Sequence, residues 1–232
     1  MLEDNRLLPF IFTFLPALVY AAMIYFSAPY QTIGRRMSQL YFQMGMISAT
    51  ITGWFLWIFP EWQTTPLSSQ PMNAMLALAF FQIAVLEEGM KFFMFKATEQ
   101  YRIKHAHPCA IMFYGMCISA GFAVMENVMY LQMYGNDVLL VRAFSAIVLH
   151  VVTGLMMGYF IALSKMDSTL NYLYQILAML VPVFLHGLYD FNVMAPSAGL
   201  PGHPIWMVLG PGVLVTLVMW WQLVRFNGQR VG

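Results

Sequence analysis

Apolar residues run along the chain in seven long blocks separated by short polar joints. The blocks span 7–28, 38–60, 72–96, 108–134, 139–163, 169–193 and 204–225. Each is at least as long as the roughly 20 residues that carry an α-helix across the hydrocarbon of a bilayer. The pattern therefore predicts an all-α fold, a polytopic transmembrane helical bundle of about seven spans. Pro60 closes the second block after Trp54 and Trp57, just ahead of Trp62. A turn-like stretch, 64–71, precedes the third, and Pro196-Ser197-Ala198-Gly199 ends the sixth. Every joint is short, so residues 1–232 read as a single integral membrane domain. Pro182 lies inside the sixth span and removes a backbone donor, which favours a kink. The Gly210-Pro211-Gly212 triplet favours a bend in the seventh. Gly154 and Gly158 form a small-xxx-small pattern, read as a close helix contact within the monomer.

Composition agrees with that picture. Hydrophobic residues make up 60% of the 232 and charged residues 9%, against about a quarter charged in soluble domains. The net charge of +1 gives no field to attract nucleic acid, and the expected surroundings are a lipid bilayer. Cys109 and Cys117 lie in one apolar run, roughly 12 Å apart along a helix, too far for a disulfide. The first block follows Glu3, Asp4 and Arg6 and exceeds the core of a cleavable signal, about 7–15 residues. It reads as a retained span. Basic residues alternate between joints: Arg35 and Arg36 in the first, Lys96, Arg102 and Lys104 in the third, Lys165 in the fifth, Arg225 and Arg230 after the last. By the positive-inside rule the amino terminus is outside and the carboxyl terminus cytoplasmic. Arg142 reads as an interfacial anchor. His105, His107 and His203 fall in joints or at helix ends and read as solvated.

The exceptions to the apolar pattern carry the chemistry. Glu87, Glu88, Glu126 and Asp190 sit deep in apolar runs, as do Lys91, His150 and His186. An ionised residue at the centre of a membrane helix costs about 2.5–3.5 kcal/mol on insertion scales, so five cost roughly 12–18 kcal/mol. Such groups normally face the bundle interior and pair with one another. Glu87 and Lys91 are four apart on one helical face, and so are His186 and Asp190. Counted from span centres, Glu126 and His186 lie roughly 8 Å nearer the outside than Glu87, which implies an oblique cavity unless tilt closes the gap. A 100° step separates Glu87 from Glu88, so the two are expected to face different ways. Plainer readings exist for single residues: an intrahelical ion pair for Glu87 or Glu88 with Lys91, a satisfied core histidine for His150 or His186. The ordered set argues against them.

Taken in order, Glu87-Glu88-Gly89-Met90-Lys91, Phe122-Ala123-Val124-Met125-Glu126-Asn127, His150-Val151-Val152-Thr153-Gly154 and His186-Gly187-Leu188-Tyr189-Asp190 resemble the motif series of the PrsW family of intramembrane proteases. More distantly the series is similar to the CAAX prenyl-protein endopeptidases. The resemblance covers roughly residues 80–195, the expected catalytic core. Glu126-Asn127 stands where the prenyl-endopeptidase branch has histidine, which argues against CAAX processing. The resemblance implies proteolysis of a single-pass membrane protein substrate, and first-site cleavage of an anti-sigma factor.

Peptide hydrolysis needs an activated water, an oxyanion stabiliser and a proton donor for the amine. A carboxylate in low dielectric is a stronger base than one in water, and Glu87 is the candidate general base. Glu88 and Lys91 would balance charge. Glu126 would be a second acid or a water-positioning group. His150 and His186 would stabilise the oxyanion or donate a proton, with Asp190 orienting His186 and Asn127 supplying an amide donor. The preferred reading is a glutamate mechanism without a cofactor. The alternative is a single divalent metal such as zinc, held by Glu126, His150, His186 and Asp190, which would polarise the water instead. No HExxH motif is present. Two other functions compete. Buried carboxylates and histidines also mark the proton relays of transporters, although paired interrupted spans and inverted repeats are missing. A non-catalytic scaffold on the same fold would keep the network for structure.

Overall fold

The computed structural model of the chain describes residues 7–26, 34–58, 71–102, 106–135, 137–200 and 202–228. Glu3, Asp4, Arg6, Pro60, Trp62, Lys104, His105, Arg230 and the stretch 64–70 lie outside the described residues. The described residues are helical throughout, with no strand. The helices are α1 (Leu7–Phe26), α2 (Arg35–Ile58), α3 (Met72–Ala77), α4 (Val85–Arg102), α5 (Pro108–Tyr134), α6 (Asp137–Phe144), α7 (Ala146–Met166), α8 (Asn171–Met194) and α9 (Trp206–Gly228). A π-helical segment, Leu78–Ala84, joins α3 to α4.

Two apolar blocks differ from the single helices the sequence predicts. The third is interrupted by the π-helical segment, in which Val85 N–H reaches back to the carbonyl of Phe80. The fifth is divided at Ser145, whose φ of −126° and ψ of −65° leave the helical region. Both interruptions fall within a turn or two of candidate site residues. Elsewhere local chemistry sets the boundaries. His107 caps α5, its Nδ1 accepting from Cys109 N–H at 3.3 Å, with Pro108 at the first helical position. Gly135, at φ 75°, ends the same helix in a conformation that favours glycine. Both α8 and α9 continue through their internal prolines.

The bundle is built around α5, buried from Ala110 to Val124. It packs against α1, α2, α6 and α7, while α8 packs against α7 and the π-helical segment. Glycines set the two closest seams. A Cβ on Gly115 would lie 2.2 Å from the Gly154 carbonyl oxygen, and one on Gly45 would lie 1.9 Å from that of Ile118. The Gly154/Gly158 pair therefore serves packing within the monomer. Phe81, Phe93, Tyr172, Phe184, Leu214 and Leu217 point outward and exposed, as suits side chains that meet lipid.

Four helical stretches, Pro108–Tyr134, Leu139–Met166, Asn171–Met194 and Trp206–Arg225, are long and apolar enough to cross a bilayer. The expected seven is not reached by this measure among the described residues. The apolar part of α1, Ile11–Ala22, is shorter. α2 carries Ser38, Gln39, Gln43, Ser48, Thr50 and Thr52, and α4 carries Glu87, Glu88, Lys91, Lys96 and Glu99. At the far end of α4, Glu99 pairs with Lys96 and with Lys165 of α7. Neither Cys109 nor Cys117 is in a disulfide, in keeping with their spacing.

Candidate active site

Four helices bring the unusual residues into one buried cluster. α4 supplies Glu87, Glu88 and Lys91 from its first two turns. α5 supplies Glu126, α7 supplies His150, and α8 supplies His186 and Asp190. Glu88 and Lys91 are completely buried, and Glu87, Glu126, His150 and His186 are buried as well. Asp190 has the most accessible side chain of the set, at 17%.

Two imidazoles organise the cluster, with their ring centroids 5.5 Å apart. His186 Nδ1 lies 2.7 Å from Glu88 Oε1, while its Nε2 faces Asp190 Oδ2 at 3.4 Å and Glu87 Oε2 at 3.7 Å. Glu88 thus makes the short orienting contact to this ring, the role the sequence assigned to Asp190. Glu87 and Glu88 were expected to point apart. They straddle one imidazole instead, because its two nitrogens lie on opposite edges and glutamate side chains are long enough to reach both. His150 Nε2 lies 2.6 Å from Glu126 Oε2, and its Nδ1 lies 3.0 Å from Lys91 Nζ. Lys91 links the halves: Nζ donates to Glu88 at 2.8 Å, stands 4.0 Å from Glu87, and sits over the Phe122 ring at 4.1 Å. Phe122, four residues before Glu126, is thereby an apolar floor for Lys91 and also packs on the His150 ring. These contacts replace the expected depth offset with direct contact across the four helices.

Arg142 is the residue the sequence reading misplaced. It is no interfacial anchor: it is buried, with Nη2 2.7 Å from Glu126 Oε2 and Nε donating to Asn127 Oδ1 at 3.1 Å. Its guanidinium lies 3.7 Å from the centre of the Tyr130 ring. The missing signal was distance along the chain, since α6 folds back beside α5 and places Arg142 against a carboxylate 16 residues earlier. Asn127 is fully buried and points away from the imidazoles. Its Nδ2 donates to the Phe12 carbonyl at 3.4 Å, the carbonyl that Pro16, lacking an N–H, leaves without its helical donor. Both ends of its amide are thus engaged with α1 and α6. Among the other histidines, His107 caps α5, and the His203 backbone exchanges hydrogen bonds with Asn192 at 2.8 and 2.9 Å.

The arrangement has two chemical consequences. Glu87 Oε2 and Asp190 Oδ2 are buried with no hydrogen-bond donor, and both face His186 Nε2. The carboxylates of Glu87, Glu88, Glu126 and Asp190 also outnumber the cations Lys91 and Arg142, leaving an excess of two negative charges when both imidazoles are neutral. A proton or a divalent ion would relieve that excess, and a water could donate to the bare Glu87 and Asp190 oxygens. Glu87, His150 and His186 each offer a ligand atom, and the three atoms lie within 4.8 Å of one another. Two imidazoles with one carboxylate are a common donor set of catalytic zinc sites. Glu87 and His186 Nε2 fit a divalent ion as they stand, whereas His150 would have to release Lys91 or Glu126, which hold its two nitrogens. The set differs from the one the sequence suggested. Glu126 is taken up by Arg142 and His150, and Glu87 stands in its place.

Comparison with known proteins places this geometry in context. A family model described as PrsW family intramembrane metalloprotease matches residues 34–226. The Protease PrsW of Oceanobacillus iheyensis is 32% identical over 155 residues, 66% of this chain and 69% of that protein. That of Shouchella clausii is 30% identical over 150 residues, covering 64% and 67% respectively. The Bacillus subtilis Protease PrsW is 29% identical over 121 residues, 52% of this chain and 56% of its own length. No solved structure matches the chain.

Proposed function

Because this chain belongs to the PrsW family of membrane proteases, and is an integral protein of a bacterial membrane, we propose that the cluster around His150 and His186 hydrolyses a peptide bond of a membrane-anchored protein, with Glu87 as general base. The observation that carries this reading is the buried, donor-free Glu87 Oε2 facing His186 Nε2 at 3.7 Å. In this reading a water held there loses a proton to Glu87 as its oxygen attacks the scissile carbonyl carbon. The carbonyl π bond breaks and an oxyanion forms. In this step His186 carries protons on both nitrogens: Nδ1–H is held by Glu88 and Nε2–H donates to the oxyanion, and Glu87 returns the proton to the amine as the C–N bond breaks. Lys91 keeps Glu88 charged and in place. Glu126 and His150 form the opposite wall, and Asp190, the most accessible member, lies at the entrance.

A metal-dependent form of the same hydrolysis is favoured by one observation, the convergence of Glu87, His150 and His186. His186 is the better prepared ligand, since its Nδ1 bond to Glu88 leaves Nε2 free. Such outer bonds from a carboxylate to a ligating imidazole are usual in metal sites. A bound divalent ion would supply Lewis acidity to the water. Glu87 would then act as a ligand.

The substrate we propose is a single-pass membrane protein of the anti-sigma-factor class, cut near the membrane surface. Family resemblance supports the class. The position of Asp190, one turn from the end of α8, supports a cut near a surface. The test is a single-pass reporter with a short extracytoplasmic stem, co-expressed with the wild type, Glu87→Gln or His186→Ala. Removing a general base typically costs about 10²–10⁴-fold in rate, so the reporter should stay intact with either variant at equal membrane abundance. Wild-type cleavage that persists in both would remove the assignment. Substrate-dependent ion flux without cleavage would favour a transporter. The metal question has its own readout: the glutamate mechanism gives chelator-insensitive cleavage and less than one equivalent of zinc per purified chain. Stoichiometric zinc, lost together with activity on chelation, would establish the metal-dependent form.

A further inference from the structure

We propose that Arg142 is a positioning residue for the hydrolytic site: its guanidinium fixes the Glu126 carboxylate, and through it the orientation and tautomer of the His150 ring. The inference rests on the hydrolytic reading and extends the site to a fifth helix, α6.

Three observations carry it. First, the guanidinium is held on several sides. Nη2 stands in ion-pair contact with Glu126 Oε2 at 2.7 Å without a directional hydrogen bond, Nε donates to Asn127 Oδ1 at 3.1 Å, and the guanidinium carbon lies 3.7 Å from the Tyr130 ring centre. A planar fork can serve both acceptors at once and stack on an aromatic face, whereas an ammonium offers a point charge on a flexible stem. Second, the oxygen that meets Arg142 is the one 2.6 Å from His150 Nε2. A carboxylate paired with a guanidinium accepts hydrogen bonds, so Nε2 carries the proton. At the other edge Lys91 Nζ, 3.0 Å from Nδ1, is a donor only. Both neighbours therefore select the same neutral form of the ring, with its proton on Nε2. Third, the frame behind Arg142 is itself anchored. Asn127 uses its remaining amide on the Phe12 carbonyl freed by Pro16, which ties α1, α5 and α6 together behind Glu126.

Simple neutralisation of a buried glutamate is the rival account, and it makes a different prediction. A lysine at 142 keeps the charge and loses the fork. If charge alone mattered, Arg142→Lys would behave as wild type. If the fork sets Glu126, Arg142→Lys should fold normally and bind the reporter normally, yet turn over slowly. A misplacement near 1 Å transmitted to the reacting centre from a remote change costs about 10²-fold, so displacing the Glu126–His150 wall should lower kcat about 10- to 100-fold with KM unchanged.

The experiment compares purified full-length wild type, Arg142→Lys and Arg142→Met in detergent micelles. Cleavage of the single-pass reporter is titrated against its mole fraction. In parallel, nitrogen-15 NMR of ring-labelled histidines reads the His150 tautomer, assigned with His150→Gln. The proposal expects a single Nε2-protonated His150 signal in the wild type. It expects averaged or doubled signals in an Arg142→Lys protein that remains fully folded at the assay temperature, together with the selective loss in kcat. Wild-type kcat and an unchanged His150 signal in Arg142→Lys would overturn it. If the ring signals change but the wild type does not cleave the reporter, the hydrolytic reading fails and the catalytic part of the proposal fails with it. If the wild type cleaves and the lysine variant matches it, only this inference fails.

Discussion

At the scale of single residues, the surplus of negative charge is what would make the cluster reactive rather than merely buried in the hydrolytic reading. Taking one partner from a buried ion pair is costly because the other is left unpaired, typically about 3–5 kcal/mol. Lys91 has no such slack, being completely buried and in contact with Glu88 and His150. Lys91→Met should therefore destabilise the protein by about 3–5 kcal/mol, read as a lowered midpoint in denaturant titration of the purified chain. Glu87 is different. Its Oε2 has no hydrogen-bond donor and its cation, Lys91 Nζ, stands 4.0 Å away, so Glu87→Gln should lower that midpoint by less than Lys91→Met does, while abolishing cleavage. That contrast separates a residue kept for chemistry from one kept for structure. The ordered motifs made Glu87, Glu88, Lys91, Glu126, His150 and His186 legible in the sequence. Their pairings were not. Helical spacing says which residues share a face of one helix, and nothing about which edge of an imidazole on another helix each will meet. Arg142 escaped for the same reason, since its partner lies on α5 and it lies on α6.

At the scale of elements, the site depends on how closely α5 can approach its neighbours. His150 stands one turn before Gly154, and Gly154 packs on Gly115 and Ser119 of α5. Gly154→Val would place new carbons against the Gly115 carbonyl and Ser119, where a Cβ alone would lie 2.4 and 2.6 Å away. Overpacking of this kind costs about 1–3 kcal/mol and would push His150 away from Glu126. The expected result is a lower unfolding midpoint together with loss of reporter cleavage, and a wild-type midpoint would count against the seam. The small-xxx-small pattern made the contact legible, although its partner helix was not. The π-helical segment before α4 and the break at Ser145 carried no sequence signal. Hydropathy sees only that the residues are apolar, and π turns and breaks are decided by tertiary packing, here of Phe80 on Gly187. Such irregularities recur near functional sites, and both of these adjoin the cluster.

For the whole molecule, the cluster lies toward one end of the bundle. Asp190 is near the end of α8 and Arg142 is in α6, whereas the cations Lys165 and Arg225 lie in the last turns of α7 and α9. If the basic ends face the cytoplasm, as the positive-inside rule predicts, the cluster falls in the outer half. In a chain whose native cysteines are replaced, Ser168→Cys should react with a membrane-impermeant maleimide only after the cells are opened, and Leu200→Cys in intact cells. The reverse pattern would invert the orientation. Apolar runs made the helical, membrane-embedded class legible from the sequence alone. Among the described residues α2 and α4 fall short of the plainly apolar measure, because they carry polar residues that face the interior: Ser38, Ser48 and Thr52 of α2 are buried, as are Glu87, Glu88 and Lys91 of α4. Helices with that composition are shielded by their neighbours.

The claim that water is activated within this cluster is tested most directly by isotope transfer. Purified wild type and Glu87→Gln, reconstituted in liposomes with the single-pass reporter in oxygen-18 water, are followed by mass spectrometry of the products. The account predicts one oxygen-18 atom in the new carboxyl terminus formed by the wild type, and no product from Glu87→Gln within the same time. Product formed by Glu87→Gln at the wild-type rate would contradict it.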